Sequence, residues 1–135
     1  MHKQVFITLP VADLSKSMAF FKALGFAFNP QMSDATTACV AINDTTFVML
    51  GTHAKFRELT PRAVCDTKTA AEVLLCLSCE SREAVDALVA QAVAAGGTAD
   101  KGEDFGFMYT HGFNDPDGHG WGLVCMGGPA SSKTE

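Results

Sequence analysis

The stretch FNDPDGHGWGLVCM, residues 113–126, decides the fold of this chain. Its DPDG segment has the composition of a tight turn, because the proline presets φ, the two aspartates accept hydrogen bonds from nearby backbone amides, and the glycine tolerates the exit geometry. Segments rich in aromatic and β-branched residues precede and follow this turn. The stretch therefore predicts a hairpin whose strands cover residues 107–113 and 121–126.

The composition is that of one globular domain, which we expect to cover residues 1–127 and to be followed by a flexible tail at 128–135. Of 135 residues, 47% are hydrophobic and 19% are charged. The net charge of -5 and the scattered lysines and arginines argue against nucleic-acid binding. No apolar run reaches the roughly 20 residues of a membrane span. Five cysteines without a signal peptide predict free thiols and a cytoplasmic protein.

The two halves of the chain carry the same order of elements. Asp13 and Ser81 are suitable helix N-caps and lie 68 residues apart. Strands are predicted at residues 4–10, 26–32, 37–42 and 46–51 in the first half, and at 72–79, 98–101, 107–113 and 121–126 in the second. Helices are predicted at 14–24 and 82–95, with a helical turn at 53–60.

This order predicts an α+β fold built from two βαβββ modules, at about residues 4–60 and 72–126. A module of this size cannot easily cover its own sheet. We therefore expect the two modules to form one cupped mixed sheet, with the helices outside and a cleft inside.

Three segments carry a resemblance to a known family. They are ITLPVADLSKSMAFFKALGF (residues 7–26), EVLLCLSCESREAVDALVAQAVAAGG (72–97) and FNDPDGHGWGLV (113–124). Together they resemble the vicinal oxygen chelate superfamily, which includes glyoxalase I, extradiol dioxygenases and bleomycin-resistance proteins. The likeness covers about residues 4–126 and is closest to a branch often labelled "predicted lactoylglutathione lyase". It implies the paired-module, cupped fold.

The resemblance also implies where a divalent metal would be bound. Metal-dependent members place His and Glu ligands at four strand positions that correspond here to residues 6, 49, 74 and 122. These positions hold Phe6, Met49, Leu74 and Gly122, none of which can bind a hard cation. We therefore expect no metal and no other cofactor. Without the ion, the usual glyoxalase and dioxygenase chemistry has no electrophile.

Strand alternation predicts which residues line the cleft, although a register shift of one residue would exchange the two faces. The ligand-binding candidates are Phe6, Thr8, Phe47, Met49, Leu74, Ser78, His111 and Gly122, and Cys76 and Val124 share the inward parity. The residues expected to lie under the helices are Val5, Ile7, Leu9, Val48, Leu50, Leu75, Leu77, Trp121 and Leu123.

Other motifs allow less specific interpretations. Cys76 and Cys79 form a CxxC motif, but residues three apart on a strand point to opposite faces, so we expect two ordinary thiols. The glycines at 118, 120 and 122 precede no helix and therefore do not form a phosphate loop. Strand glycines beside a cleft instead leave room for a ligand to approach.

The histidines leave two interpretations open. If Tyr109, His111 and Phe113 face the cleft, His111 is the candidate acid or base; otherwise it is a hydrogen-bonding strand residue. His119 is either a turn residue or a second acid–base candidate. A displaced metal site would draw on His53, His111, Glu72 or Cys76, although their spacing gives no positive signal.

Three functions remain in view. The first is a metal-free protein that binds a small apolar or aromatic molecule, similar to the bleomycin-resistance branch and expected to be a homodimer. The second is a metal-dependent lyase or isomerase of the glyoxalase I or dioxygenase type with a rearranged metal site. The third is a structural or regulatory dimer without a small ligand.

Overall fold

In the computed structural model, which describes residues 1–127, the first module is a four-stranded sheet with two helices. The strand order is β1-β4-β3-β2, in which β1 and β4 are parallel and the other pairs are antiparallel. In chain order the elements are β1 (Val5–Val11), α1 (Leu14–Ala23), β2 (Ala27–Phe28), β3 (Thr37–Ala41), β4 (Thr46–Thr52) and α2 (His53–Leu59).

The first helix begins and ends where the sequence predicts. The Asp13 side chain accepts a hydrogen bond from the backbone amide of Lys16 at 3.1 Å, which satisfies one free N–H of the first turn. Gly25 follows the helix with φ of 92°, a conformation that favours glycine and ends the helix. Phe20 and Phe21 are fully buried and pack edge to face at 5.0 Å, so this helix anchors the core of the module.

The segment predicted as a strand at residues 26–32 is mostly not a strand. Only Ala27 and Phe28 pair with β3, and a short 3-10 turn follows at Pro30–Met32. Pro30 has no N–H to donate to a ladder, and the Asn29 side chain caps the turn by accepting from the amide of Gln31 at 3.0 Å. Proline and this local cap together end the strand.

The second module repeats the plan with one additional short strand. Its sheet has the order β5-β9-β8-β6, and β7 also pairs with β8. β5 and β9 are parallel, and the other pairs are antiparallel. Its elements are β5 (Leu74–Ser78), α3 (Arg82–Ala94), β6 (Thr98–Ala99), β7 (Glu103–Asp104), β8 (Met108–Asn114) and β9 (Gly120–Met126).

The cap of the second long helix also confirms the internal repeat. Ser81 accepts from the amide of Ala84 at 3.0 Å, as Asp13 does for Lys16 in the first module. The helix buries Val85 and Val89, and it packs mainly on β8. Equivalent caps in equivalent places confirm the alignment of the two modules.

The α+β class with two modules is confirmed, with one difference in detail. The sequence predicted a single mixed sheet, whereas the described strands form two sheets, each made within one module. The chain divides into two compact units, the first ending at Asp66 and the second beginning at Thr67. The tail predicted at 128–135 lies outside the described residues. In the described part of the chain, no helix has the length and apolar character needed to cross a membrane.

Candidate functional site

One face of the first module carries the residues that the sequence predicts for ligand binding. Phe6 pairs with Phe47, and Thr8 pairs with Met49, so all four side chains project from the same face of the sheet. The opposite face of the same strands holds Leu9, Val48 and Leu50, whose exposed fractions are at most 2%. The predicted alternation of the first module is therefore correct in register.

The centre of this face is an aromatic pair. The rings of Phe6 and Phe47 stack with centroids 5.1 Å apart and an interplanar angle of 15°. Phe47 is buried at 8% exposure, whereas Phe6 retains 44%. Thr8 and Met49 are partly exposed beside the pair. The face therefore presents an apolar ring surface next to one hydroxyl and one thioether.

One side chain of α2 lies beside the Thr8 end of this face. A Cβ placed on Gly51 would lie 3.7 Å from Cγ of Lys55 and 3.9 Å from the methyl group of Thr8. The aliphatic stem of Lys55 therefore lies beside this end of the face, while its ammonium lies 3.7 Å from the carboxylate of Glu58.

A corresponding face of the second module carries the other predicted residues. Leu74, Cys76 and Ser78 alternate along the edge strand β5 and are all exposed, with Leu74 at 76%. Cys76 pairs with Gly122, and a Cβ on Gly122 would lie 3.5 Å from the Cys76 sulfur. The side chains of Trp121 and Leu123 project to the opposite face, where both are buried.

The four positions that the resemblance assigns to a metal therefore lie on these two faces. Phe6 and Met49 belong to the face of the first module, and Leu74 and Gly122 belong to that of the second. A hydrocarbon side chain and a glycine offer no donor, and the thioether of Met49 is a soft ligand that hard divalent ions do not select. The residues present do not fit the superfamily's metal.

His111 does not lie on the face that would have made it an acid or base for a ligand beside Gly122. It pairs with Leu123, and Phe113 pairs with Trp121, so these residues project toward α3. The Phe113 and Trp121 rings are parallel with centroids 6.2 Å apart, and both are buried. Residues 113 and 121 stand opposite each other across the turn, so the length of the turn sets this register.

His111 is instead part of a polar cluster between β8 and α3. Its Nε2 lies 3.0 Å from the carbonyl oxygen of Asp100, and its Nδ1 lies 3.7 Å from the carboxylate of Asp86. The Tyr109 hydroxyl donates to the same Asp86 carboxylate at 2.5 Å. This hydrogen bond, with burial and the negative charge of Asp86, raises the pKa of Tyr109 above its ordinary value. His111 is therefore the hydrogen-bonding strand residue of the second interpretation.

An ion pair extends this cluster to β7. The Arg82 guanidinium donates two hydrogen bonds to the Asp104 carboxylate, at 2.8 and 3.0 Å, and lies 4.9 Å from the centroid of the Tyr109 ring. The bidentate bond lowers the pKa of Asp104 from 3.8 to about 2 and raises the pKa of Arg82. Its partners join α3 to β7, so the pair holds this short strand in place.

The turn of the hairpin contains a buried carboxylate, Asp115, that is surrounded by nitrogen partners. Asp115 accepts from the backbone amides of Asp117 and His119, both at 3.0 Å. It also contacts the His119 ring at Nδ1, 3.0 Å away, and accepts from the indole N–H of Trp121 at 3.1 Å. The sequence predicted the backbone bonds of this turn but not the Trp121 bond, which links positions six residues apart.

Asp115, Asp117 and His119 form the one group within residues 1–127 whose ligand atoms lie close enough together to hold a metal ion. The Asp115 oxygens, however, already face N–H donors, which a cation would have to displace. We therefore interpret the group as the anchor of the hairpin. None of the residues named for a displaced site belongs to it: His53, Glu72, Cys76 and His111 all lie elsewhere.

Comparisons with known proteins agree with this geometry. Residues 3–43 match the family model described as bleomycin resistance protein-like N-terminal. A solved structure of a hypothetical protein from S. aureus is 31% identical, with a TM-score of 0.79, and the alignment covers 93% of this chain and 95% of that one. The family-model match over the N-terminal segment is consistent with the resemblance to the vicinal oxygen chelate superfamily.

More distant superfamily structures share the fold. A glyoxalase/bleomycin resistance protein/dioxygenase family enzyme from Burkholderia phytofirmans is 20% identical, with a TM-score of 0.76 over 90% of this chain and 96% of that one. Lactoylglutathione lyase from Agrobacterium tumefaciens is 13% identical, with a TM-score of 0.66 over 90% of this chain and 91% of that one. No curated protein matches the sequence.

Proposed function

We propose that this protein binds a small apolar or aromatic molecule without a divalent metal, as the bleomycin-resistance proteins that it resembles sequester their ligands. The observation that carries the proposal is the half-exposed Phe6 ring stacked on the buried Phe47 ring. An exposed ring held rigidly by a second ring is a ready surface for a flat ligand, because aromatic side chains lose little conformational entropy on binding.

The neighbours of the ring pair supply the other contacts of the proposed site. Met49 is flexible and adapts its shape to an apolar ligand, and the Thr8 hydroxyl orients a polar substituent. The face of the second module, taken by itself, carries a large exposed apolar side chain at Leu74, a hydroxyl at Ser78 and an open strand backbone at Gly122. This combination of apolar surface with a few polar groups is typical of small-molecule sites.

The first experiment is a thermal-shift screen of planar aromatic compounds on the untagged protein, since a ligand that binds only the folded state raises Tm. For any compound that binds, Phe6→Ala is expected to weaken affinity about tenfold, because the ligand loses the ring it covers. Val5→Ala is the matched control: Val5 is 53% exposed on the same strand but faces the other way. Equal effects of the two substitutions would contradict the assignment of the face.

Leu74→Trp tests the face of the second module. Leu74 is 76% exposed, so a larger side chain is accommodated without unfolding, but it obstructs a ligand bound there. We expect a fully folded variant with reduced ligand uptake. An unfolded variant would mean that Leu74 belongs to the core.

The rival function is a metal-dependent lyase or isomerase of the glyoxalase I or dioxygenase type. Elemental analysis of the untagged protein, repeated after dialysis against Ni, Zn, Mn and Fe, separates the two. We expect no stoichiometric metal, because the ligand positions hold Phe6, Met49, Leu74 and Gly122. Stoichiometric metal would favour the enzyme and justify glyoxalase and dioxygenase assays.

We also propose that the protein is a cytoplasmic homodimer. The assembly follows from the bleomycin-resistance branch, whose clefts are typically built by two chains. Five free cysteines support the proposal of a reducing compartment. Light scattering coupled to gel filtration tests the dimer, and cell fractionation tests the compartment.

A further inference from the structure

The CxxC motif leads to a different thiol pair from the one its spacing suggests. Cys76 projects to the face that contains Gly122, and by strand alternation Cys79 projects to the opposite face. These two sulfurs therefore cannot pair within an intact strand. The register of β5 and β9 gives Cys79 another neighbour.

That neighbour is Cys125. Ser78 pairs with Val124, and the amide of Cys79 donates to the Val124 carbonyl at 2.8 Å, which continues the parallel ladder by one residue. Cys79 and Cys125 are therefore adjacent across the two strands. Neighbouring strands lie about 4.7–4.9 Å apart, and disulfides form across Cα separations of about 4.4–6.8 Å.

Both thiols project toward the same face of the sheet. Cys125 follows Leu123 in the alternation and is 1% exposed, and Cys79 follows Leu77 and is partly exposed. A small oxidant therefore reaches Cys79 first, and the neighbouring Cys125 sulfur can then attack the oxidised Cys79. Burial, together with the proximity of Cys125 and then Cys76, raises the pKa of Cys79. At neutral pH Cys79 is thus held as a thiol and reacts slowly, since the thiolate is the nucleophile.

We propose that Cys79 and Cys125 form an intramolecular disulfide when a peroxide oxidises the protein. The Cys79 thiolate attacks the peroxide, forming an S–O bond and releasing hydroxide or an alcohol, which leaves a sulfenic acid. The Cys125 sulfur then attacks the Cys79 sulfur, the S–O bond breaks, and water leaves. The two thiols are oxidised by two electrons and the peroxide is reduced by two. A thiol reductant reverses the reaction.

The disulfide would cross-link the edge strand β5 to its neighbour β9. β5 has one neighbour in the described sheet, β9, and it lies at the open end of the strand order. The cross-link closes a loop of about 45 residues, which limits the unfolded chain and is expected to raise Tm by about 5–15 °C. This proposal rests on strand register alone and does not depend on the proposed ligand.

The test treats the folded, untagged protein with hydrogen peroxide at neutral pH and at pH 9. Remaining thiols are alkylated before denaturation and non-reducing digestion, and peptides are identified by mass spectrometry. We expect one peptide pair joined through Cys79 and Cys125, formed faster at pH 9 and lost after reduction. We also expect a rise in Tm that the reductant reverses.

Variants make the assignment specific. Cys79→Ser and Cys125→Ala should each abolish the cross-link, whereas Cys76→Ser and Cys65→Ser should leave it intact. If Cys125→Ala fails to fold, Cys79→Ser alone tests the cross-link. Cys79 is partly exposed, so its replacement is expected to leave the protein folded. A Cys76–Cys79 link, a link between chains, an overoxidised Cys79 without a link, or no oxidation at pH 9 would each overturn the proposal.

Discussion

Replacing Asp115 by alanine should destabilise the protein by about 3–5 kcal/mol. The carboxylate accepts from two backbone amides, an imidazole N–H and an indole N–H, at distances of 3.0 to 3.1 Å. Each buried donor left unsatisfied costs about 1–3 kcal/mol, and the sum is reduced because water enters the space that the side chain vacates. With a urea m-value of about 2 kcal/mol/M, the unfolding midpoint should fall by about 2 M.

The assay is urea unfolding followed by far-UV circular dichroism at pH 7. Asp34→Ala is the matched control, because one Asp34 oxygen likewise accepts from two backbone amides, those of Thr36 and Thr37. That turn is exposed, so water replaces the lost acceptor and the loss should be much smaller. Asp115→Asn should cause an intermediate loss of stability. Its amide oxygen can still accept from the backbone amides, but its NH₂ group would face the other N–H donors without an acceptor. A loss below about 1 kcal/mol for Asp115→Ala would refute the reasoning.

Two further predictions concern pH. The pKa of Asp104 is lowered from 3.8 to about 2, so its ion pair with Arg82 stabilises the fold above pH 4. This stabilisation is lost as the pH falls toward 2. Asp104→Asn should remove this acid dependence of stability, whereas the control Glu103→Gln should leave it unchanged. The pKa of Tyr109 is raised, so its bond to Asp86 stabilises the fold below pH 10 and is lost as the pH rises through the raised value. The chain has one tyrosine, so absorbance at 295 nm titrates it directly. Asp86→Asn should return that titration toward pH 10, and no difference between folded wild type and variant would contradict the prediction.

The parts of the fold that the sequence predicts are those determined by local chemistry. The caps at Asp13 and Ser81, the DPDG turn and the alternation along β1 and β4 each depend on residues a few positions apart. The strand β7 could not be predicted, because Glu103 and Asp104 have low strand propensity and are held there by pairing with β8.

The strand faces on which the candidate site residues lie were predicted in part for the same reason. The faces carrying Phe6 and Leu74 follow from alternation within a strand, which is a local property. The position of His111 depends on the register between β8 and β9, which the turn length sets. The contacts of His111 with Asp86 and of Trp121 with Asp115 depend on tertiary packing. Sequence spacing alone gives no signal for either.

The placement of the single tryptophan determines what intrinsic fluorescence can report. Trp121 is 1% exposed in the unit that begins at Thr67, whereas the unit ending at Asp66 contains phenylalanines but no tryptophan or tyrosine. Indole emission therefore reports unfolding of the second module and does not report unfolding of the first. Circular dichroism follows both. Coincident transitions by the two probes would show that the modules unfold as one cooperative unit, and separate transitions would show that each has a stability of its own.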